Sequence, residues 1–309
     1  MIRTLILSAL LMFGYAQAHA FCGFYVAKAD ATLFNQTSQV IMVRDGNQTI
    51  VTMASDFKGD VKDFAMVVPV PSVLKRSDIR VMAPQILRKI DDYSSPRLVE
   101  YHDPKPCYRQ LPGHAMATME LSAVNVMSAP SRGLRRKKKK KSTVKIQAKY
   151  KVEEYDVIIL SSKKSEDLET WLVDHGYKVP DNAKEALRPY IKSGMKFFVV
   201  KVDMSKYKQG QFAQLRPLQI KFKSNRFMLP IRLGMANAES VQDMIVYTFT
   251  RKGRVETSNY RTVKVPSNRE IPTFIKNQNK FGDFYASVFK KCYNDEGQNG
   301  VFLEYSWDL

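Results

Sequence analysis

The sequence predicts an α+β protein, with an antiparallel β-rich N-terminal part, then a β-α-α-β unit, then a mainly antiparallel sheet. Three observations predict it. Runs rich in Val, Ile and Thr are separated by short Gly-containing turns. Two helical patterns fall together between residues 165 and 192. Helices are therefore segregated from most strands rather than alternating with them one for one. With 309 residues and 44% apolar content, the chain is long enough to bury a sizeable core.

The first hairpin is Gln39 to Arg44, then Asp45-Gly46, then Thr49 to Met53. Asp-Gly between two β-rich runs is a strong hairpin signal, because the turn needs positive φ. A second turn at Lys58-Gly59-Asp60 leads into Phe64 to Pro71. Its two prolines lack ladder donors, which puts this strand at a sheet edge or ends it there. Residues 85–92 carry a helical pattern through Ile86, Leu87 and Ile90, and Pro96 opens an extended stretch to Tyr101.

Beyond the middle of the chain, Tyr155 to Leu160 reads as a strand followed by two helices. Ser165 is expected to cap the first, with Leu168, Trp171 and Leu172 facing inward and Gly176 closing it. Asp181 is expected to cap the second, which Pro189 should kink or shorten. Lys196 to Val202 returns as a strand. Then come a turn at Ser224-Asn225 and a hairpin of Met244 to Thr250 with Arg254 to Val265 about Lys252-Gly253. Phe281 to Tyr293 reads as a helix whose Phe281, Phe284, Tyr285, Phe289 and Tyr293 form a core face. Val301 to Trp307 reads as a last strand.

Residues 1–20 read as a signal peptide: Arg3 supplies the positive region, Leu5 to Tyr15 the apolar region and Ala18-His19-Ala20 a small-x-small cleavage site. Cleavage is expected after Ala20, with localisation in the periplasm or cell envelope and no membrane span in the mature chain. The remaining organisation reads as a β-rich subdomain over 21–128, a polybasic linker over 129–142 and an α+β subdomain over 143–309. In that compartment Cys22, Cys107 and Cys292 allow at most one internal disulfide. Cys22 with Cys107 is the expected pair, leaving Cys292 to bond another molecule or a cysteine beyond residue 309.

Forty-nine Lys and Arg against 30 Asp and Glu give a net charge of +19, which favours anionic partners and says nothing about fold. The sharpest feature is the unbroken run Arg135, Arg136, Lys137, Lys138, Lys139, Lys140 and Lys141. Such a run can hold a protein on phosphates of anionic lipid or lipopolysaccharide. It lacks the interleaved aromatics that nucleic-acid binding favours.

Catalytic signals are weak. His102, Cys107 and His114 form the one local metal-type grouping, without zinc-site spacing, and His175 stands apart. No metal site and no cofactor is expected. There is no Gly-x-Ser-x-Gly elbow and no phosphate loop.

Phe21-Cys22-Gly23-Phe24-Tyr25-Val26, the stretch from Ser38 to Gly46, Asp63 to Pro71 and Ser95 to Tyr101 together resemble a bacterial domain-of-unknown-function family, number 2330. So do Glu154-Tyr155-Asp156-Val157, Trp171-Leu172, Gly176-Tyr177 and Phe302 to Asp308. The resemblance covers nearly the whole mature chain and implies an exported bacterial envelope protein without catalytic residues to carry over. It also implies that relatives continue past the Trp-Asp pair into a cysteine-containing stretch, matching the unpaired cysteine. The function expected is a non-catalytic binding or assembly module, associated with anionic surfaces or another envelope protein. The alternative is an exported hydrolase whose site assembles from distant residues.

Overall fold

The computed structural model describes residues 24–28, 37–55, 63–99, 143–180, 183–203, 215–237 and 243–307. The chain is α+β. Its strands are β1 (Phe24–Lys28), β2 (Thr37–Asp45), β3 (Gln48–Ser55), β4 (Asp63–Val70), β5 (Ile79–Val81), β6 (Lys145–Val152), β7 (Tyr155–Ser161), β8 (Tyr177–Lys178), β9 (Lys196–Asp203), β10 (Leu218–Lys223), β11 (Asp243–Thr250), β12 (Thr262–Lys264) and β13 (Val301–Leu303). Its helices are α1 (Gln85–Ser94), α2 (Ser165–Asp174), α3 (Ala183–Lys192), α4 (Thr273–Asn277) and α5 (Phe281–Asp295).

A six-stranded sheet has the order β6-β7-β9-β4-β1-β8, and a five-stranded sheet the order β11-β2-β3-β10-β5. Strands from before and after residues 129–142 are interleaved in both. The two sheets pack face to face. Val40, Met42, Val51, Met53 and Ile220 of the smaller meet Met66, Val68, Val157, Ile159, Phe198 and Val200 of the larger. The opposite face of the larger sheet, with Ala65, Val67, Phe197 and Val199, is covered by Leu168 and Leu172 of α2 and by Ala183, Leu187 and Tyr190 of α3. Both faces of β4 and β9 are thus in the core, so those strands are continuous apolar runs; in β2 and β3 Val40, Met42, Val51 and Met53 face the sandwich, and Ile41 and Thr52 between them are buried as well. Each large side chain buried this way contributes about 1.5–3 kcal/mol.

Several local expectations change. In the first hairpin Asp45 pairs with Gln48, so the turn is Gly46-Asn47, with Gly46 at φ 55°. Glycine at the first central position suits this tighter geometry. β4 lies between β9 and β1 rather than at an edge, and it ends at Val70, directly before Pro71, which is the other outcome the prolines allowed. Among the described residues β1 pairs with it up to Val67, and Pro69 and Val70 pair with β9. Ser165 does not cap α2; it is the first helical residue, and its hydroxyl reaches Glu166 Oε2 at 3.4 Å. Gly176, at φ 84°, does follow that helix. α3 runs three residues beyond Pro189.

The expected hairpin about Lys252-Gly253 does not form. β11 pairs parallel with β2, and β12 pairs parallel with β13 across α4 and α5. Residues 254–261 carry no strand, nor do 304–307 or 96–99. None of the aromatics of α5 is fully buried, although Phe289 packs on Phe302 with ring centroids 5.0 Å apart. The turn at residues 58–60 and the cap at Asp181 lie outside the described residues.

Where the edge strands β5 and β6 approach, a short turn closes the sandwich. Arg76 Nε donates to the Lys151 carbonyl at 3.2 Å, and the Tyr150 hydroxyl donates to the Leu74 carbonyl at 3.1 Å. No helix among the described residues is long and apolar enough to cross a membrane.

Candidate functional site

Two clusters of titratable side chains stand out. The first forms where α1, β11, α5 and residues 304–305 converge on the outer face of the five-stranded sheet. β11 alternates so that Tyr247, in register with Ile41, points away from the sandwich interior and toward α1. Its hydroxyl donates to Asp91 Oδ1 at 2.8 Å, and Gln39 Nε2 lies 3.5 Å away. The Tyr285 hydroxyl donates to Glu304 Oε1. Tyr93 and Tyr305 meet edge to face, with centroids 5.8 Å apart.

These contacts set the acidities. Burial pushes the Tyr247 hydroxyl well above its ordinary value near 10, and Asp91 adds to this by accepting its hydrogen bond and by its negative charge. Burial likewise raises Tyr285, with Glu304 second. The Tyr305 phenol is raised first by its hydrogen bond with Tyr93. Phenols held protonated beside carboxylates are donors, unsuited to act as bases or nucleophiles near neutral pH. The cluster ties four segments together.

The second cluster sits at the two-residue turn between β6 and β7. Glu153 has φ 55°, which swings both turn carboxylates toward one side. Arg216, immediately before β10, takes both. Its Nε donates to Glu154 Oε1 at 2.8 Å, and its Nη2 reaches Glu154 Oε2 and, at 2.5 Å, Glu153 Oε2. Glu154 is only 5% exposed and Arg216 44%. The Tyr155 hydroxyl donates to the Arg216 carbonyl at 2.7 Å. The hydrogen bond with Glu154 is the main reason the guanidinium is held even more firmly protonated than usual. A fork donor matched to a carboxylate in this way is a strong clamp.

Beside Tyr155 and Arg216 lies a cavity of about 10 Å³, and a larger one of about 30 Å³ opens between Met53, Phe222 and Pro230. Each has room for roughly one water molecule.

The residues singled out from the sequence are elsewhere. Cys22, Cys107, His102, His114 and the run Arg135 to Lys141 lie outside the described residues. Cys292 is a half-buried free thiol on α5, on the side of Tyr285. His175 is exposed at the end of α2, stacked on Trp171 at 3.7 Å, with Nδ1 2.7 Å from the Trp171 carbonyl. Among the described residues no three metal-ligating side chains converge. Sequence reasoning missed Asp91, Tyr247, Glu304 and Arg216. The one local signal was Glu153-Glu154 between two β-type runs, which marks a hairpin turn but not its cation.

A family model described as "Uncharacterized protein conserved in bacteria (DUF2330)" matches residues 16–309. No curated protein and no solved structure matches the chain.

Proposed function

The chain belongs to the DUF2330 family of bacterial proteins, and from that premise we propose that it is an exported envelope protein that binds or assembles through its surface rather than by catalysis. The observation that carries this reading is the outer edge of β11. That strand is eight residues long and ends the five-stranded sheet, and among the described residues no strand pairs with its outer side. Val246 and Phe249 on it are 39% and 43% exposed. An edge of this length offers backbone donors and acceptors, with apolar side chains beside them, to an incoming strand. The signal-like residues 1–20 support export, and the run Arg135 to Lys141 supports association with anionic envelope surfaces.

The hydrolase alternative draws on the carboxylates Asp91 and Glu304, which both bear on Tyr247. Their engagement with tyrosine hydroxyls favours the binding role.

Capture from a bacterial envelope fraction tests the proposal, using wild type and a Val246→Glu/Phe249→Glu variant with the same melting temperature. The wild type should retain a defined partner and the variant should lose it. Equal capture by both, or hydrolytic turnover abolished by Asp91→Asn, overturns the surface-binding role. Fractionation of the native bacterium tests export: a mature chain starting at Phe21 in the envelope is expected, and an intact leader in the cytosol is the contrary result.

A further inference from the structure

The side of the sandwich where β5 and β6 run together is basic. Lys145, Lys149 and Lys151 of β6 are exposed, as are Lys75, Arg76 and Arg80 at and before β5. Among the described residues, none of these six side chains forms an ion pair. The nearby acids are occupied or inset. Asp78 accepts the Lys75 backbone N–H at 2.9 Å, Glu153 and Glu154 are taken by Arg216, and Asp156 is half-buried opposite Lys151. The hydrogen bonds of Arg76 and Tyr150 across the gap hold the two edges together. Lys149 and Lys151, alternating with the inward Ala148, Tyr150 and Val152, flank this border on one side, and Arg80, between the inward Ile79 and Val81, flanks it on the other. β6 alone spans about 26 Å. Two aliphatic side chains stand exposed along the same border, Val73 at 41% and Ile146 at 45%.

We propose that this border is the face with which the protein docks on an anionic lipid bilayer, the lysines and Arg80 meeting lipid phosphates while Val73 and Ile146 enter the headgroup layer. The inference rests on the anionic-surface association proposed above and assigns it to the folded body of the protein. Two features favour a bilayer over nucleic acid. Aliphatic groups lie among the cations, and Tyr150 is engaged with Leu74 rather than free for base stacking. The sequence leads the same way: residues 135–152 hold ten cations and no acid.

Sedimentation of the mature full-length chain with vesicles tests it, using phosphatidylcholine with and without phosphatidylglycerol. Three variants are compared with wild type: Arg80→Glu/Lys149→Glu/Lys151→Glu on the border, Lys252→Glu/Lys264→Glu/Lys280→Glu as a control of equal charge elsewhere, and alanine at Lys137 to Lys141. Each cation near the surface is worth on the order of five-fold in affinity. The border variant should therefore bind phosphatidylglycerol vesicles at least about ten-fold more weakly than the control. A Gln version of the border triple keeps the test valid if charge reversal disturbs β6. Border and control variants binding alike, while only the alanine variant is weakened, overturns the border and leaves the polybasic association standing. Wild type that ignores phosphatidylglycerol, or prefers an oligonucleotide to it, overturns both.

Discussion

Glu154 is nearly enclosed, and its charge is matched by one guanidinium. Replacing Arg216 with Met would leave that carboxylate buried without its cation, whereas replacing Glu153 with Gln removes only a half-exposed partner. Arg216→Met should lower the unfolding free energy by about 1–3 kcal/mol, a range that allows for the half-exposed guanidinium. Glu153→Gln should cost less than about 1 kcal/mol. Urea titration of the two variants checks the order, and equal losses would show that Arg216 acts through its alkyl stem alone. Tyr247 and Tyr285 give a signature at alkaline pH. Both hold their protons more tightly when folded than the ordinary value near 10. The unfolded chain therefore releases protons first as pH rises past 10, and stability, undiminished below that point, declines above it. Tyr247→Phe should flatten part of this decline, visible as a smaller fall in melting temperature between pH 9 and 11. None of these pairs was legible in the sequence. Asp91 and Tyr247 lie 156 residues apart, and only the register of β11 brings one to the other.

Hairpins and helices were far more legible, because their partners are near in sequence and their periodicity is local. β2 and β3 place Val40, Met42, Val51 and Met53 against the core, and α2 and α3 show their buried stripes through Leu168, Leu172, Leu187 and Tyr190. What failed was partner choice. Met244 to Thr250 has the composition of a hairpin arm, yet it pairs with β2, since strand propensity says nothing about which edge will accept a strand. The prolines at 69 and 71 were legible as a stop, since β4 ends at Val70, but not as to place, since the strand lies inside the sheet and Pro69 pairs with Phe197 of β9. Pro189 is a different case. At the seventh position of α3 it withholds a helical N–H, and the helix continues because Tyr190 packs in the core and its hydroxyl accepts the Arg232 N–H at 3.0 Å. Pro189→Ala should therefore stabilise the protein by about 1–3 kcal/mol, measurable as a higher urea midpoint. An unchanged or lower midpoint would mean that the surrounding packing is built around the proline ring. At the first turn, Gly46 has open space where a Cβ would go, so Gly46→Ala should lose about 1 kcal/mol through backbone strain alone.

Across the whole molecule, β1 to β5 and β6 to β11 contribute to the same two sheets, while β12 and β13 pair only with each other. Neither half contains a complete hydrophobic layer: β4 needs β9, and β3 needs β10. Separately expressed fragments 21–128 and 143–309 should each lack a cooperative melting transition and regain one when mixed, as followed by circular dichroism. A sharp transition in either fragment alone would mean that its share of the core suffices. The parallel seam has a consequence in time. Arg251 of the turn after β11 bonds Asp45 across 206 residues, so the smaller sheet waits on a very long loop closure, which makes for slow folding. A chain threading outward from its N-terminus would present β2 with one flank bare until the final quarter had followed. In that interval β2 would be the segment most in need of a holding chaperone.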